Sequence, residues 1–167
     1  MNSAGIGNDI PFLDTPLELF DKIIAVNLRG TFIVGQAAAR AMVKTGGGAI
    51  CNIASVSGMT GNVGRSAYGA SKGGVVVLSK VMAVDLAAQN VRVNVLSPGP
   101  VETPLVAKMH TGFIRKRWIE RTPMARYASP EEMTGGAVFL CSDDAGYVTG
   151  HVLAIDGGMM GSGLTAA

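Results

Sequence analysis

A chain of 167 residues, 48% of them hydrophobic and 16% charged, can bury a real core as one domain and is too apolar for a disordered segment. Its net charge of +2, with no basic run and no interleaving of aromatic and basic residues, argues against nucleic acid or an anionic membrane as partner. No stretch approaches 18 uninterrupted apolar residues, and Met1-Asn2-Ser3-Ala4 opens neither a transmembrane span nor a signal peptide.

The two cysteines, Cys51 and Cys141, lie in separate apolar segments. They read as small buried hydrophobes, not as a disulfide or metal pair, and the whole composition suits a soluble cytoplasmic protein with no metal site. Near the N-terminus, Gly5-Ile6-Gly7 begins like a dinucleotide fingerprint but lacks its third glycine, position 10 being Ile, and no strand precedes it. Residues 8–14 read as a loop. Thr15-Pro16-Leu17-Glu18 predicts a helix start, with Thr15 as cap, Pro16 at the first helical position and Glu18 completing a capping box. That helix is expected to run to Lys44, with Phe20, Ile23, Ile24 and Leu28 on its apolar face. Asn27 falls on the same face, where an amide must find partners. Thr45-Gly46-Gly47-Gly48 ends the helix and leads to the apolar run 49–54, a buried strand.

Ser55 closes that strand, at the end where α/β proteins place their ligands; taken alone, a serine there reads first as a turn residue or a cap. A Gly- and Ser-rich loop covers 56–64. A helix follows over 66–89, burying Val75, Val76, Leu78, Met82 and Leu86, with Asn90 as its left-handed cap. Tyr68 and Lys72, four apart, share one face of it. An ammonium beside a phenol favours the phenolate and draws the tyrosine from about 10 toward a working pH, where it serves as general acid or base. As an isolated pair they read first as two surface neighbours. Gly69, Gly73 and Gly74 tilt the balance: each costs about 1 kcal/mol against Ala inside a helix. They predict the close approach of another backbone, a flat ligand or a partner helix. A serine hydrolase built on Ser55 is disfavoured, because G-x-S-x-G would need glycines where Ile53 and Ser57 stand.

Val91 to Ser97 reads as a strand, and Ser97-Pro98-Gly99-Pro100-Val101-Glu102-Thr103-Pro104 as a rigid turn after it, a plain turn or a ligand site. Residues 105–127 mix Met109, Phe113, Ile114 and Trp118 with Arg115, Lys116, Arg117 and Arg121. The four cations read first as a solvated helix face and second as a site for an acidic or carrier-bound substrate, and His110 reads first as exposed and second as a pocket residue. Ser129-Pro130-Glu131-Glu132 forms a second capping box and opens a helix to Ser142. Residues 150–158 hold a last strand, and Gly161-Ser162-Gly163 reads as a flexible tail.

Asn-Ile-Ala-Ser at 52–55, followed by Tyr-Gly-Ala-Ser-Lys-Gly-Gly at 68–74, resembles the active site of the classical short-chain dehydrogenase/reductase family. The resemblance extends to Asn2-Ser3-Ala4-Gly5, similar to the family's Asn-Asn-Ala-Gly with Ser3 for the second Asn, and to Pro98-Gly99-Pro100-Val101-Glu102-Thr103. It implies an α/β fold, a Rossmann-like doubly wound parallel sheet lacking the N-terminal strands. Residues 1–167 would form a single partial domain, with 104–127 as a substrate-binding lid. It implies a catalytic set of Ser55, Tyr68 and Lys72, with Asn27 holding a relay water. NAD or NADP would be bound by Asn2, Ala4, Gly5, Tyr68, Lys72, Pro98, Gly99, Val101 and Thr103. The implied reaction is hydride transfer between the cofactor and a small-molecule carbonyl/alcohol pair, in a homo-oligomer, dimer or tetramer. Because the glycine-rich turn of the family's first strand is absent, the chain alone is expected to be weak or inactive. The rival expectation is a non-catalytic interaction subunit whose helices only mediate association.

Overall fold

The computed structural model describes residues 1–162, so that the expectation for Gly163 lies outside the described residues. Its centre is a three-stranded sheet in the order β1 (Gly48–Ile53), β2 (Val91–Pro98), β3 (Val152–Ile155). Both pairings are parallel, with Ile50 opposite Val93 and Leu96 opposite Leu153. Parallel strands need cover on both faces, and alternate side chains supply it. Ile50, Val91 and Val93 point to helices α2 (Gly30–Lys44) and α3 (Ser66–Leu86), where Ala39 and Ala83 meet them. Cys51 and Leu96 point the other way, onto Leu140 of α6 (Thr134–Cys141). A further cluster of Ala54, Val75, Val76 and Val95 sits under the site end of the sheet. Each such fully buried Val or Leu contributes about 1.5–3 kcal/mol.

Asn2 bridges Asn52 in parallel, donating from its N–H to Cys51 O (2.9 Å) and accepting from Ile53 N–H (3.0 Å). That one-residue addition to the edge of β1 carries the following segment over the strand ends. The expected helix 15–44 is one helical run in three parts: α1 (Leu17–Ile24), a π-turn at Ala25–Arg29, and α2. Ile23, Asn27, Thr31, Gly35 and Ala39 form its buried stripe. The capping box at Thr15 does not form. The Thr15 hydroxyl donates to Pro11 O (3.0 Å) and lies 3.2 Å from Ser66 Oγ, so it ties the loop to the start of α3 instead. The second box does form, with Ser129 N–H donating to Glu132 Oε2 at 2.8 Å. Asn90 takes the left-handed conformation at φ 59°.

Gly69 and Gly73 of α3 meet the chain's own backbone, and Gly74 meets the Leu28 side chain. A Cβ on Gly69 would stand 2.9 Å from Ser57 O, and one on Gly58 would stand 2.6 Å from the carbonyl carbon of Lys72. The turn Val56–Gly58 therefore lies directly on α3 and sets Ser55 beside Tyr68. Cys51 is buried as expected, but Cys141 is exposed, because it ends α6 on the rim of the cleft described next.

Candidate active site

Ser55 leaves β1 in extended conformation, and its Oγ accepts from Ser57 N–H at 3.1 Å, capping the turn that follows. The hydroxyl keeps its own hydrogen to donate. Tyr68 sits in the first turn of α3, one helical turn before Lys72. Lys72 is buried, and its Nζ donates to Ile53 O at 2.8 Å. Burial lowers its pKa to about 8. Burial raises the Tyr68 phenol, while the Ser55 hydroxyl and the charge of Arg65 act downward and Asp9 acts upward. The spacing predicts Lys72 as the cation that acidifies Tyr68. In the structure its Nζ lies 5.8 Å from the ring centroid, turned to the Ile53 carbonyl, and Arg65 is the nearer charge.

These residues open into a cleft of about 740 Å³ across the C-terminal ends of β1 and β2. Gly5, Ser55, Tyr68 and Lys72 line one side; Pro98, Gly99, Val101 and Thr103 line the other. Val101 is bridged to Ala128 through the groups on either side of it: Glu102 N–H donates to Ala128 O (2.9 Å) and Ala128 N–H to Pro100 O (3.0 Å). In an extended chain that leaves Val101's own N–H and C=O facing the opposite way. Thr103 Oγ1 accepts from Val106 N–H (3.2 Å), capping helix α4 (Pro104–Met109), and retains a hydrogen to donate. A paired donor and acceptor of this kind fit the carboxamide of a nicotinamide, and the apolar walls fit its ring.

Asn2, Ala4 and Asn27 do not line the cleft. Asn2 works through the sheet bridge. Asn27 is fully buried in the π-turn, a form of helix that often marks functional sites. Its Oδ1 accepts from Ile6 N–H (2.8 Å), and its Nδ2 donates to Ile6 O (2.9 Å) and Ser71 Oγ (2.9 Å). A Cβ on Gly5 would lie 3.4 Å from both Asn27 Oδ1 and Lys72 Nζ, so the amide and the ammonium converge on that glycine.

A second cavity, about 670 Å³, lies between residues 62–65 and helix α5 (Gly112–Arg121). The expectation that His110 is exposed fails: it is 5% exposed. Its ring stacks on Trp118 (5.3 Å between centroids), Nδ1 is 2.9 Å from Tyr127 Oη, and Nε2 is 2.6 Å from Arg65 Nη2. Burial, then the charges of Arg65 and Arg115, lower its pKa to about 4. Arg65 also pairs with Asp9. Asp9, Arg65, His110 and Tyr127 carry no motif; only Arg65, three residues before Tyr68, was open to a helical-face argument. The four cations are largely engaged: Arg115 pairs with Glu102, Lys116 and Arg117 with Glu120, and Arg121 donates to Asn62. Among the described residues no group of three or more His, Cys, Asp or Glu could hold a metal, and no helix is long and apolar enough to cross a membrane.

A parallel sheet covered on both faces, with a serine at one strand end and a Tyr–Lys pair on the next helix, defines a Rossmann-like α/β fold. The family model described as enoyl-(acyl carrier protein) reductase matches residues 1–160, and the chain belongs to the short-chain dehydrogenase/reductase family. It is 42% identical to the 3-oxoacyl-[acyl-carrier-protein] reductase FabG of Aquifex aeolicus, covering 95% of this chain and 64% of that protein. Among solved structures, a gluconate 5-dehydrogenase from Burkholderia cenocepacia, in complex with NADP and tartrate, superposes with a TM-score of 0.92 at 33% identity, over 98% of this chain and 66% of that one. A short-chain type dehydrogenase/reductase from Mycobacterium marinum gives 0.87 at 44% identity, over 94% and 62%. The chain thus spans less than two thirds of the length of these relatives.

Proposed function

We propose that this chain carries the reacting half of an NAD(P)-dependent oxidoreductase that interconverts a secondary alcohol and a ketone. One observation carries the reading: Ser55, Tyr68 and Lys72 open together into a cleft whose far wall holds Pro98, Gly99, Val101 and Thr103. The relatives named for reduction of a 3-oxoacyl group and oxidation of gluconate both work on such a pair. The nicotinamide, when bound, supplies or accepts the hydride. Val101 and Thr103 would hold its carboxamide, and Lys72, in the same wall of the cleft as Gly5, would hold its ribose. Ser55 donates to the substrate oxygen and stabilises the charge that develops there. In reduction, the Tyr68 phenol gives its proton to that oxygen; in oxidation it takes the proton back. Lys72 then restores the proton to Tyr68. Asn27, which meets Lys72 across Gly5, anchors the water through which Lys72 is recharged. Asn2 and Ala4 contribute by seating the segment that carries Gly5.

Residues 104–127 act as the substrate lid over the second cavity. Exposed Phe32, Ile33 and Val34 of α2, with Val77, Val81 and Val84 of α3, support a homo-oligomer. The free thiols suit a cytoplasmic setting. Outside the Asn2 bridge, the outer edge of β1 has no partner strand among the described residues, which supports low activity for the chain alone.

Titration of the purified chain with NADH and with NADPH, followed by cofactor fluorescence, tests this. The expected result is weak saturable binding of one of them, with Tyr68→Phe losing turnover about 10²–10⁴-fold while still binding. A folded chain on which neither cofactor changes its fluorescence overturns the reading.

A further inference from the structure

Tyr68 has a second charged neighbour that the family pattern does not assign. Arg65 stands three residues earlier, where the chain enters α3, and its side chain is only 10% exposed. Its Cζ lies 5.2 Å from the Tyr68 ring centroid, against 5.8 Å for Lys72 Nζ. The guanidinium is held on two sides. Asp9 of the N-terminal segment pairs with Nε, and its Oδ2 accepts from Nη2 at 3.3 Å. Across from Asp9, the same Nη2 meets His110 Nε2 at 2.6 Å.

Arginine only donates, so Nε2 of His110 is the acceptor. The imidazole is then the neutral tautomer with its hydrogen on Nδ1, aimed at Tyr127 Oη (2.9 Å). A neutral His110 orients Arg65 without cancelling its charge. Lys72, by contrast, spends a hydrogen on Ile53 O. The charged or titratable groups around the phenol are therefore Arg65 and Lys72 on the α3 side, Asp9 on the N-terminal segment, and His110 behind Arg65 from the proposed lid.

We propose that Arg65, clamped between Asp9 and His110, is a positioning residue that sets the acidity of Tyr68 alongside Lys72. This rests on Tyr68 being the proton donor of the proposed reaction, but it is tested without cofactor or substrate. Removing the guanidinium does two things at once: it takes away a cation and leaves the Asp9 carboxylate unopposed. Both favour the neutral phenol.

The test is absorbance titration of tyrosinate in the full chain, taking the difference against Tyr68→Phe to isolate Tyr68 from Tyr127 and Tyr147. Arg65→Gln is expected to raise the Tyr68 midpoint by ~1 pH unit or more, and Arg65→Lys to restore most of it. Asp9→Asn is expected to lower it, and Asp9→Asn with Arg65→Gln to fall between the two single variants. The double variant buries no unpaired charge, so it remains readable if Arg65→Gln alone unfolds. An unmoved midpoint in Arg65→Gln overturns the proposal; so does an equal rise in Arg65→Lys, or a wild-type chain with no Tyr68 step below alkaline unfolding. Lost cofactor binding with the midpoints as expected would overturn the oxidoreductase reading and leave the Arg65 coupling standing.

Discussion

Tyr68 is flanked by two cations of different origin, and the contrast between their surroundings is instructive. Lys72 reaches it along a single helix, by a spacing that the polypeptide cannot avoid once α3 forms. Arg65 is locally placed too, but what makes it effective is assembled from afar: Asp9 from the N-terminal segment, His110 from the junction of α4 and α5, and Tyr127 beyond α5. The first arrangement depends on the helix, the second on the docking of segments that have no contact until the fold closes. The Ser55, Tyr68 and Lys72 side of the cleft should therefore survive disturbance of the 104–127 segment, whereas the Arg65 cluster, and the part of the cleft lined by Leu105 and Val106, should not.

Lys72→Met gives the largest expected effect on stability. The folded-state pKa of Lys72 is about 8, below its unfolded value of 10.5, so the unfolded chain binds the proton more tightly. Burying the ammonium thus costs stability below pH 8, and the cost fades as pH rises toward 10.5. Less the lost bond to Ile53, the variant is expected to gain about 2 kcal/mol at pH 7 and little near pH 10.5. Denaturant melts at the two pH values check this; a variant less stable than wild type at pH 7 would show that the ammonium is better solvated than its burial implies.

Gly58→Ala comes next. Its Cβ would stand 2.6 Å from the Lys72 carbonyl carbon, backbone that cannot yield cheaply. A loss of about 1–3 kcal/mol is expected, with Ser55 displaced from Tyr68. Thermal unfolding with unchanged midpoint would mean that the turn 56–58 is not seated on α3.

The smallest effect separates the two regions most cleanly. His110 has a folded pKa of about 4, below its unfolded 6.5, so stability falls as pH drops from 6.5 to 4. His110→Gln keeps an acceptor for Arg65 but cannot titrate, and it should flatten that acid limb by roughly 1–2 kcal/mol. The cleft residues should be unaffected. An acid limb of the same slope in the variant would place the titration elsewhere.

Much of the site was legible because it is periodic or punctuated. Ser55 follows an apolar run, Tyr68 and Lys72 share a helical face, and Ser129 with Glu132 and Asn90 are end signals that act over a few residues. Gly69 and Gly73 of α3 correctly announced a close backbone, though not which one; it is the turn after Ser55, whereas Gly74 makes room for the Leu28 side chain. Local signals failed where distant groups competed for the same atoms. Thr15 has the chemistry of a cap, yet its hydroxyl is taken by Pro11 and lies against Ser66. His110 looked exposed in a cationic segment, yet Trp118, Tyr127 and Arg65 enclose it.

From the sequence came the helices over 15–44, 66–89 and 129–142 and the strands after them, which follow from backbone periodicity and end signals, while the parallel sheet and the grouping of Ser55 with Tyr68 and Lys72 came from the resemblance of 52–55 and 68–74 to a family motif. The tertiary structure alone decided that Asn27 sits in a π-turn against Ile6, that Lys72 turns to Ile53, and that Arg65 is the nearer cation on Tyr68. A buried polar group takes whichever partner the packing brings to it, and packing is a property of the whole fold.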